Sequence, residues 1–309
     1  MARVLDGIDA FLDQLTSIEV LPALLGIVAH IAKLGCTSMA WRNVLAAAYP
    51  EQTVSRLPIF GAYLAGVGVN AIVPVRAGDA VRVVLAHRAV PGSTYTTVVS
   101  STLVLSIFDI TAAATLLLWA AVTLDELPGF GELPDLASFD FAWLLDRPLA
   151  AQLVLAALLI ALFAIGFWIS GHVANFRDRV RQGFAVLRSP ARYVSSVASW
   201  QAADWGLRLV TIWFLLDAFD IPQSLQNVLL VQVSSSVATL IPLTPAGIGT
   251  EQAFLLYVFR GAVSSSDLLA FSVGMKLTTV ATNVVVGFTA IALTLRTVRY
   301  SRAFDARSP

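Results

Sequence analysis

The chain has 309 residues, 57% of them hydrophobic and only 13% charged, with a mean hydropathy of +0.78. That is well above the balance of a soluble domain. A formal net charge of +0 offers no basic footprint for nucleic acid, and a single cysteine with three histidines excludes an internal disulfide and argues against a resident metal. What remains is an all-α, polytopic membrane protein: one integral domain over 1–309, with about seven to eight membrane segments, some broken or re-entrant, and no cofactor expected.

Residues 1–19 form an acidic lead (Asp6, Asp9, Asp13, Glu19) with no positive n-region and no small-residue cleavage site, so no signal peptide is expected. Val20 to Trp41 is the first span, closing on the interface pair Trp41-Arg42. His30 and Lys33 lie three residues apart and share a face. Ionisable groups inside a span usually face the bundle interior or a cavity and are functional candidates; the plainer reading of Lys33 is snorkelling.

Ile59 to Val75 is short and glycine-rich (Gly61, Gly66, Gly68) and ends in Asn70-Ala71-Ile72-Val73-Pro74. It either crosses or re-enters, and its small residues suit close packing, with another helix or a second copy of the chain. VRAGDAVRVVLAHR follows at 75–88, with Asp79 three residues before Arg82 and arginines at 76, 82 and 88. Three planar guanidiniums near a membrane surface suit a phosphate; the competing reading is a positive-inside anchor without a ligand.

Tyr95 to Leu124 is long enough to span and carries one charge, Asp109, completing a first half over 20–124. Residues 125–147 are acidic, with Asp125, Glu126, Glu132, Asp135, Asp140 and Asp146 against Arg147. Leu149 to Ser170 is a further span. Asn175 to Val197 then places Phe176, Val180, Phe184, Leu187 and Val194 at helical spacing, with Arg177, Arg179, Arg181, Arg188 and Arg192 elsewhere on the wheel, the pattern of a basic helix on an anionic leaflet. The positive-inside rule puts 76–88, 177–192 and the tail Arg296, Arg299 and Arg302 in the cytoplasm, with the acidic 125–147 loop outside. The acidic N-terminus fits this less well.

The second half, 196–295, opens with the span Ser199 to Phe219, where Asp204 precedes Arg208 by four residues, the spacing of a same-face pair, structural or functional. Leu225 to Ile241 leads into TLIPLTPAGIGTEQAF at 239–254. Two prolines and two glycines within eight residues remove backbone donors and helix propensity together, so no continuous helix runs through. Backbone freed in hydrocarbon survives only when buried in protein or lining a wet cavity; otherwise the stretch is an ordinary loop. Ala253 to Val258 is too short to cross alone. Leu268 to Leu295 is the last span, with Lys276, Thr278, Thr279, Thr282 and Asn283 on or near one face. Pro74 lies 35 residues before Asp109, and Pro242 lies 34 before Lys276. This is an internal correspondence of the kind transporters show, set against chance.

The two passages together, Pro74-x-Arg76-x-Gly78-Asp79-x-x-Arg82 and Leu240-Ile241-Pro242-x-Thr244-Pro245-x-Gly247-x-Gly249-x-Glu251, resemble the transmembrane flippase domain of the lysylphosphatidylglycerol synthases and their stand-alone relatives. The likeness runs from Trp41-Arg42 to the last span. It departs at Ala246, where that family usually has a further glycine, and around Asp109, which lacks the family's Glu-Arg pair.

What the resemblance implies is transport of a lipid headgroup across the cytoplasmic membrane, the lipid being an anionic phospholipid or a polyprenyl-phosphate-linked glycolipid. No aminoacyl-transferase domain is expected after Leu295, so synthesis falls to a partner enzyme. On this reading Arg76, Asp79, Arg82, Arg88, Pro242, Thr244, Pro245, Gly247, Gly249 and Glu251 bind the substrate. His30, Lys33, Asn70, Asp109, Asp204, Arg208, Lys276 and Asn283 line its path. The alternatives are a membrane glycosyltransferase or its accessory subunit, and a scaffold for lipid-modifying enzymes. Against an enzyme, 125–147 holds no close carboxylate pair with a base, metal motif or nucleotide loop.

Overall fold

The computed structural model describes residues 18–73, 76–123, 174–240, 250–259 and 263–305, and every regular element among them is a helix. In chain order these are α1 (Val20–Ala48), α2 (Arg56–Ile72), α3 (Ala77–Ala89), α4 (Tyr95–Thr123), α5 (Ala174–Gly183), the four-residue α6 (Pro190–Tyr193), α7 (Ser199–Ala218), α8 (Leu225–Leu240), α9 (Thr250–Val258) and α10 (Ser265–Asp305). Among the described residues three stretches are long and apolar enough to cross a bilayer: Val20–Ala48, Tyr95–Ala120 and Ser266–Thr294. The expected span at 149–170 and the acidic loop 125–147 lie outside the described residues, as does the Pro/Gly stretch 241–249 with Pro242, Thr244, Pro245, Gly247 and Gly249.

α1 and α7 run antiparallel along their length. The Glu19 N–H donates to the Ala218 carbonyl at one end (3.0 Å), and Asn43 Nδ2 donates to the Ser196 carbonyl at the other (2.6 Å). These contacts define an Ala218 end and a Tyr49 end. α4 starts at the Tyr49 end, where the Thr94 N–H donates to the Tyr49 hydroxyl (3.0 Å).

Between them α2 and α3 form a hairpin whose two feet stand at that same end: the chain enters α2 just after Val54, whose carbonyl accepts from Arg42 Nε (2.8 Å), and leaves α3 just before Thr94. Glycine makes the hairpin tight. A Cβ on Gly66 would lie 2.7 Å from the Gly78 carbonyl oxygen, and one on Gly78 would run into the Gly66 carbonyl. At the turn Asn70 Oδ1 accepts from the Gly78 N–H (2.7 Å) while its Nδ2 donates to Asp79 (2.9 Å). Arg76, just before α3, holds a left-handed backbone (φ 53, ψ 36).

α8 and α9 stand on the opposite end. Phe259 just beyond α9, Val228 on α8 and Leu268 on α10 share one buried cluster with Phe219 and Ile221 of the α7–α8 turn. α10 returns to the Tyr49 end, pressing on α2 so closely that a Cβ on Gly68 would lie 2.7 Å from Gly287 Cα. Small residues at such crossings let helices pack where lipid supplies no hydrophobic drive.

The amphipathic stretch expected as one helix over 175–197 is divided. α5 ends at Gly183, whose position against Thr97 and Ser100 of α4 leaves no room for a side chain. Pro190 then starts α6 under a Ser189 cap that accepts from the Arg192 N–H. A π turn over Val194–Ala198 carries the chain into α7 without a loop.

Candidate functional site

Five helices enclose a cavity of about 320 Å³ at mid-height. α1 contributes His30 and Lys33, α7 Arg208, Thr211 and Ile212, α8 Gln232, Ser235 and Ser236, α9 Glu251, and α10 Met275, Lys276, Thr279 and Asn283. Six of the residues singled out from sequence therefore meet here: His30, Lys33, Arg208, Glu251, Lys276 and Asn283.

Each is held by a specific partner or left free for a reason visible in the packing. His30 and Asn283 bond side chain to side chain at 2.8 Å, tying α1 to α10. Glu251 sits in the first turn of α9, where the helix dipole favours a carboxylate. It is buried, accepts from the Ser235 hydroxyl, and meets Lys276 Nζ at 3.4 Å. Arg208 donates Nη2 to the buried Asp204 (2.9 Å), lies 4.0 Å from Asp109, and covers the Trp205 ring at 4.8 Å. Trp205 Nε1 in turn donates to Asp109 (2.9 Å). Lys33 forms no ion pair among the described residues. The wall thus carries three cations, Lys33, Arg208 and Lys276, against one carboxylate, Glu251. Asp204 and Asp109 stand behind the wall and serve Arg208.

The arginines of the first motif lie elsewhere. Arg76 stands just before α3, and Arg82 and Arg88, six residues apart on it, are separated by roughly 9 Å along its axis and about 120° around it. None lines the cavity. Arg82 pairs with Asp79 (3.5 Å) and stacks over Trp41 (5.8 Å). Asp79 and Asn70 belong to the hairpin turn. The motif's Gly78 and Asp79 therefore have a packing role of their own.

A ladder of side chains on α1 connects the two regions. At 100° per residue, His30, Lys33, Thr37 and Trp41 fall within about 80° of one another. Trp41 lies under Arg82 and donates Nε1 to Ser101 (2.9 Å). Thr37 donates to Asp204 (2.5 Å). Thr37, Gln232, Ser235 and Ser236 were not singled out from sequence. The run Gln232-Val233-Ser234-Ser235-Ser236 inside an apolar helix was the available signal for the last three; Thr37 gave none.

Comparison with known proteins gives one match. The family model described as the lysylphosphatidylglycerol synthase TM region covers residues 3–287. No curated protein and no solved structure matches the chain.

Proposed function

The chain belongs to the lysylphosphatidylglycerol synthase transmembrane family, whose members are membrane proteins related to lipid handling. From that premise we propose that it carries the anionic headgroup of a membrane lipid, a phospholipid or a polyprenyl-phosphate-linked glycolipid, across the cytoplasmic membrane as a transporter rather than an enzyme. The observation behind this reading is Lys33 on the cavity wall, without an ion pair among the described residues, beside the paired Arg208 and Lys276. A phosphate entering there replaces its water with Lys33, Lys276 and Arg208 and with the hydroxyls of Thr211, Ser235, Ser236 and Thr279. The acyl tails stay in hydrocarbon, so only the head needs a polar path.

In this scheme the α2–α3 and α8–α9 hairpins are re-entrant, one from each membrane face. They are the equivalent parts of an inverted repeat, an arrangement suited to alternating access. The Pro/Gly stretch 242–249, with Thr244 and Pro245, lies outside the described residues; its sequence suits the supply of free backbone amides to an anion. Arg82, above Trp41 and the α1 ladder, receives the head from the Tyr49 side. The positive-inside rule favours the cytoplasm for that side, since the arginine-rich stretch 177–192 packs against the start of α4 and the end of α1.

The test is flux in liposomes holding the full chain and short-chain fluorescent anionic lipids, with outer-leaflet quenching as readout. Lys33→Ala and Lys276→Ala are expected to lower the rate at least about tenfold, the loss of one charge-assisted contact at the barrier. Rates equal to those of the unaltered protein in both variants would remove the cavity from the path.

A further inference from the structure

On the opposite side of α1 lies a second hollow, of about 420 Å³, that transport does not use. Its walls are Ala32, Gly35, Cys36, Ser38 and Met39 of α1, Leu57 and Phe60 of α2, and Trp200 of α7, with Arg42 and Arg56 at the rim. At 100° per residue, positions 32, 35, 36, 39 and 42 centre about 160° away from the ladder of His30, Lys33, Thr37 and Trp41. This is the face on which α1 exposes Leu21, Leu24, Leu25 and Val28, the face turned to lipid.

The slot descends about 15 Å from Arg42 to Ala32. Leu57 and Trp200 beside its mouth are 82% and 39% exposed. Arg42 uses Nε on the Val54 carbonyl and Nη1 on Asn43, leaving Nη2 available, and Arg56 is exposed; neither pairs with a carboxylate among the described residues.

We infer that this slot is a binding site for an anionic glycerophospholipid of the Tyr49-side leaflet. One acyl chain lies along Gly35 and Met39, and the phosphate sits between Arg42 and Arg56. The volume is in the range of small-molecule pockets, and the lining has their character, mostly apolar with a few placed polar groups. Among the described residues this apolar channel carries two charges, both arginines at its membrane-surface end, which fits a lipid tail with a negative head. A tryptophan at that level is the usual interfacial neighbour. The site is independent of the cavity, because the two occupy opposite faces of one helix.

Cys36, the chain's one cysteine, lines the slot and reports its occupancy. In nanodiscs of the full chain, N-ethylmaleimide modification of Cys36 is followed by intact mass. Replacing phosphatidylcholine with phosphatidylglycerol is expected to slow modification several-fold. Arg56→Gln is expected to reduce that protection about fivefold, the effect of one surface cation on an anionic lipid. Gly35→Phe, which fills the slot, is expected to block modification in either lipid, and Lys33→Ala to leave the protection intact.

Equal rates in the two lipids, or protection unchanged in Arg56→Gln, would overturn the inference. So would a Cys36–Cys36 crosslink between copies in place of lipid protection, or a Cys36 that stays unreactive in phosphatidylcholine because the chain itself closes the slot.

Discussion

Lys276 Nζ and Glu251 Oε2 face each other at 3.4 Å across the join of α9 and α10, so the cavity's own carboxylate occupies one of its three cations. An anionic headgroup must compete with Glu251 for Lys276. Glu251→Gln removes the competitor and is expected to tighten binding of a short-chain anionic lipid about fivefold, roughly 1 kcal/mol, as read by equilibrium titration in detergent. Unchanged or weaker binding would show that the pair does not compete with the ligand.

Asp204 is buried between Thr37 and Arg208 and joins α1 to α7 through both. Asp204→Asn keeps the shape and discards the charge. Arg208 still reaches cavity water, which limits the loss to about 2 kcal/mol. The melting temperature should fall by about 4 °C or more. A melt superimposable on that of the unaltered protein would contradict the role given to this bond.

Gly287 and Gly35 provide opposite outcomes from one kind of substitution. A Cβ on Gly287 would lie 2.7 Å from Gly68 N and from the Leu64 carbonyl oxygen, both backbone. Gly287→Val is therefore expected to cost at least about 3 kcal/mol and to broaden or abolish the monodisperse peak in size-exclusion chromatography. Gly35→Ala meets only Phe60 Cε2 at 4.0 Å and is expected to stabilise α1 by up to about 1 kcal/mol through helix propensity.

Arg76 occupies a backbone region that glycine tolerates and β-branched residues do not. Arg76→Gly should leave stability unchanged or raise it by up to about 1 kcal/mol, whereas Arg76→Val should lower it by about 2 kcal/mol. Comparing thermal melts of the two separates the backbone strain from the lost guanidinium, which both variants share.

Much of the arrangement was readable beforehand because charges are costly in hydrocarbon. His30, Lys33, Arg208, Lys276 and Asn283 stand out in apolar segments, and their presence there already implied a shared interior. The four-residue spacing of Asp204 and Arg208 specified their pairing. What sequence spacing did not convey is depth and direction. Arginines recurring every six residues look like a cluster on paper, yet helical rise carries Arg76, Arg82 and Arg88 to three levels of α3. Gly78 and Asp79 read as motif residues until the hairpin shows one making room for Gly66 and the other accepting from Asn70. Thr37 was invisible because a threonine in a helix carries no signal until its partner, 167 positions away in α7, is in place.

The α2–α3 pair has its feet at the Tyr49 end and the α8–α9 pair at the Ala218 end, with the cavity between them. On the proposed transport reading, two hairpins rooted at opposite ends give the described part of the fold no preferred direction, and net movement would follow whichever leaflet is being supplied with lipid or drained of it.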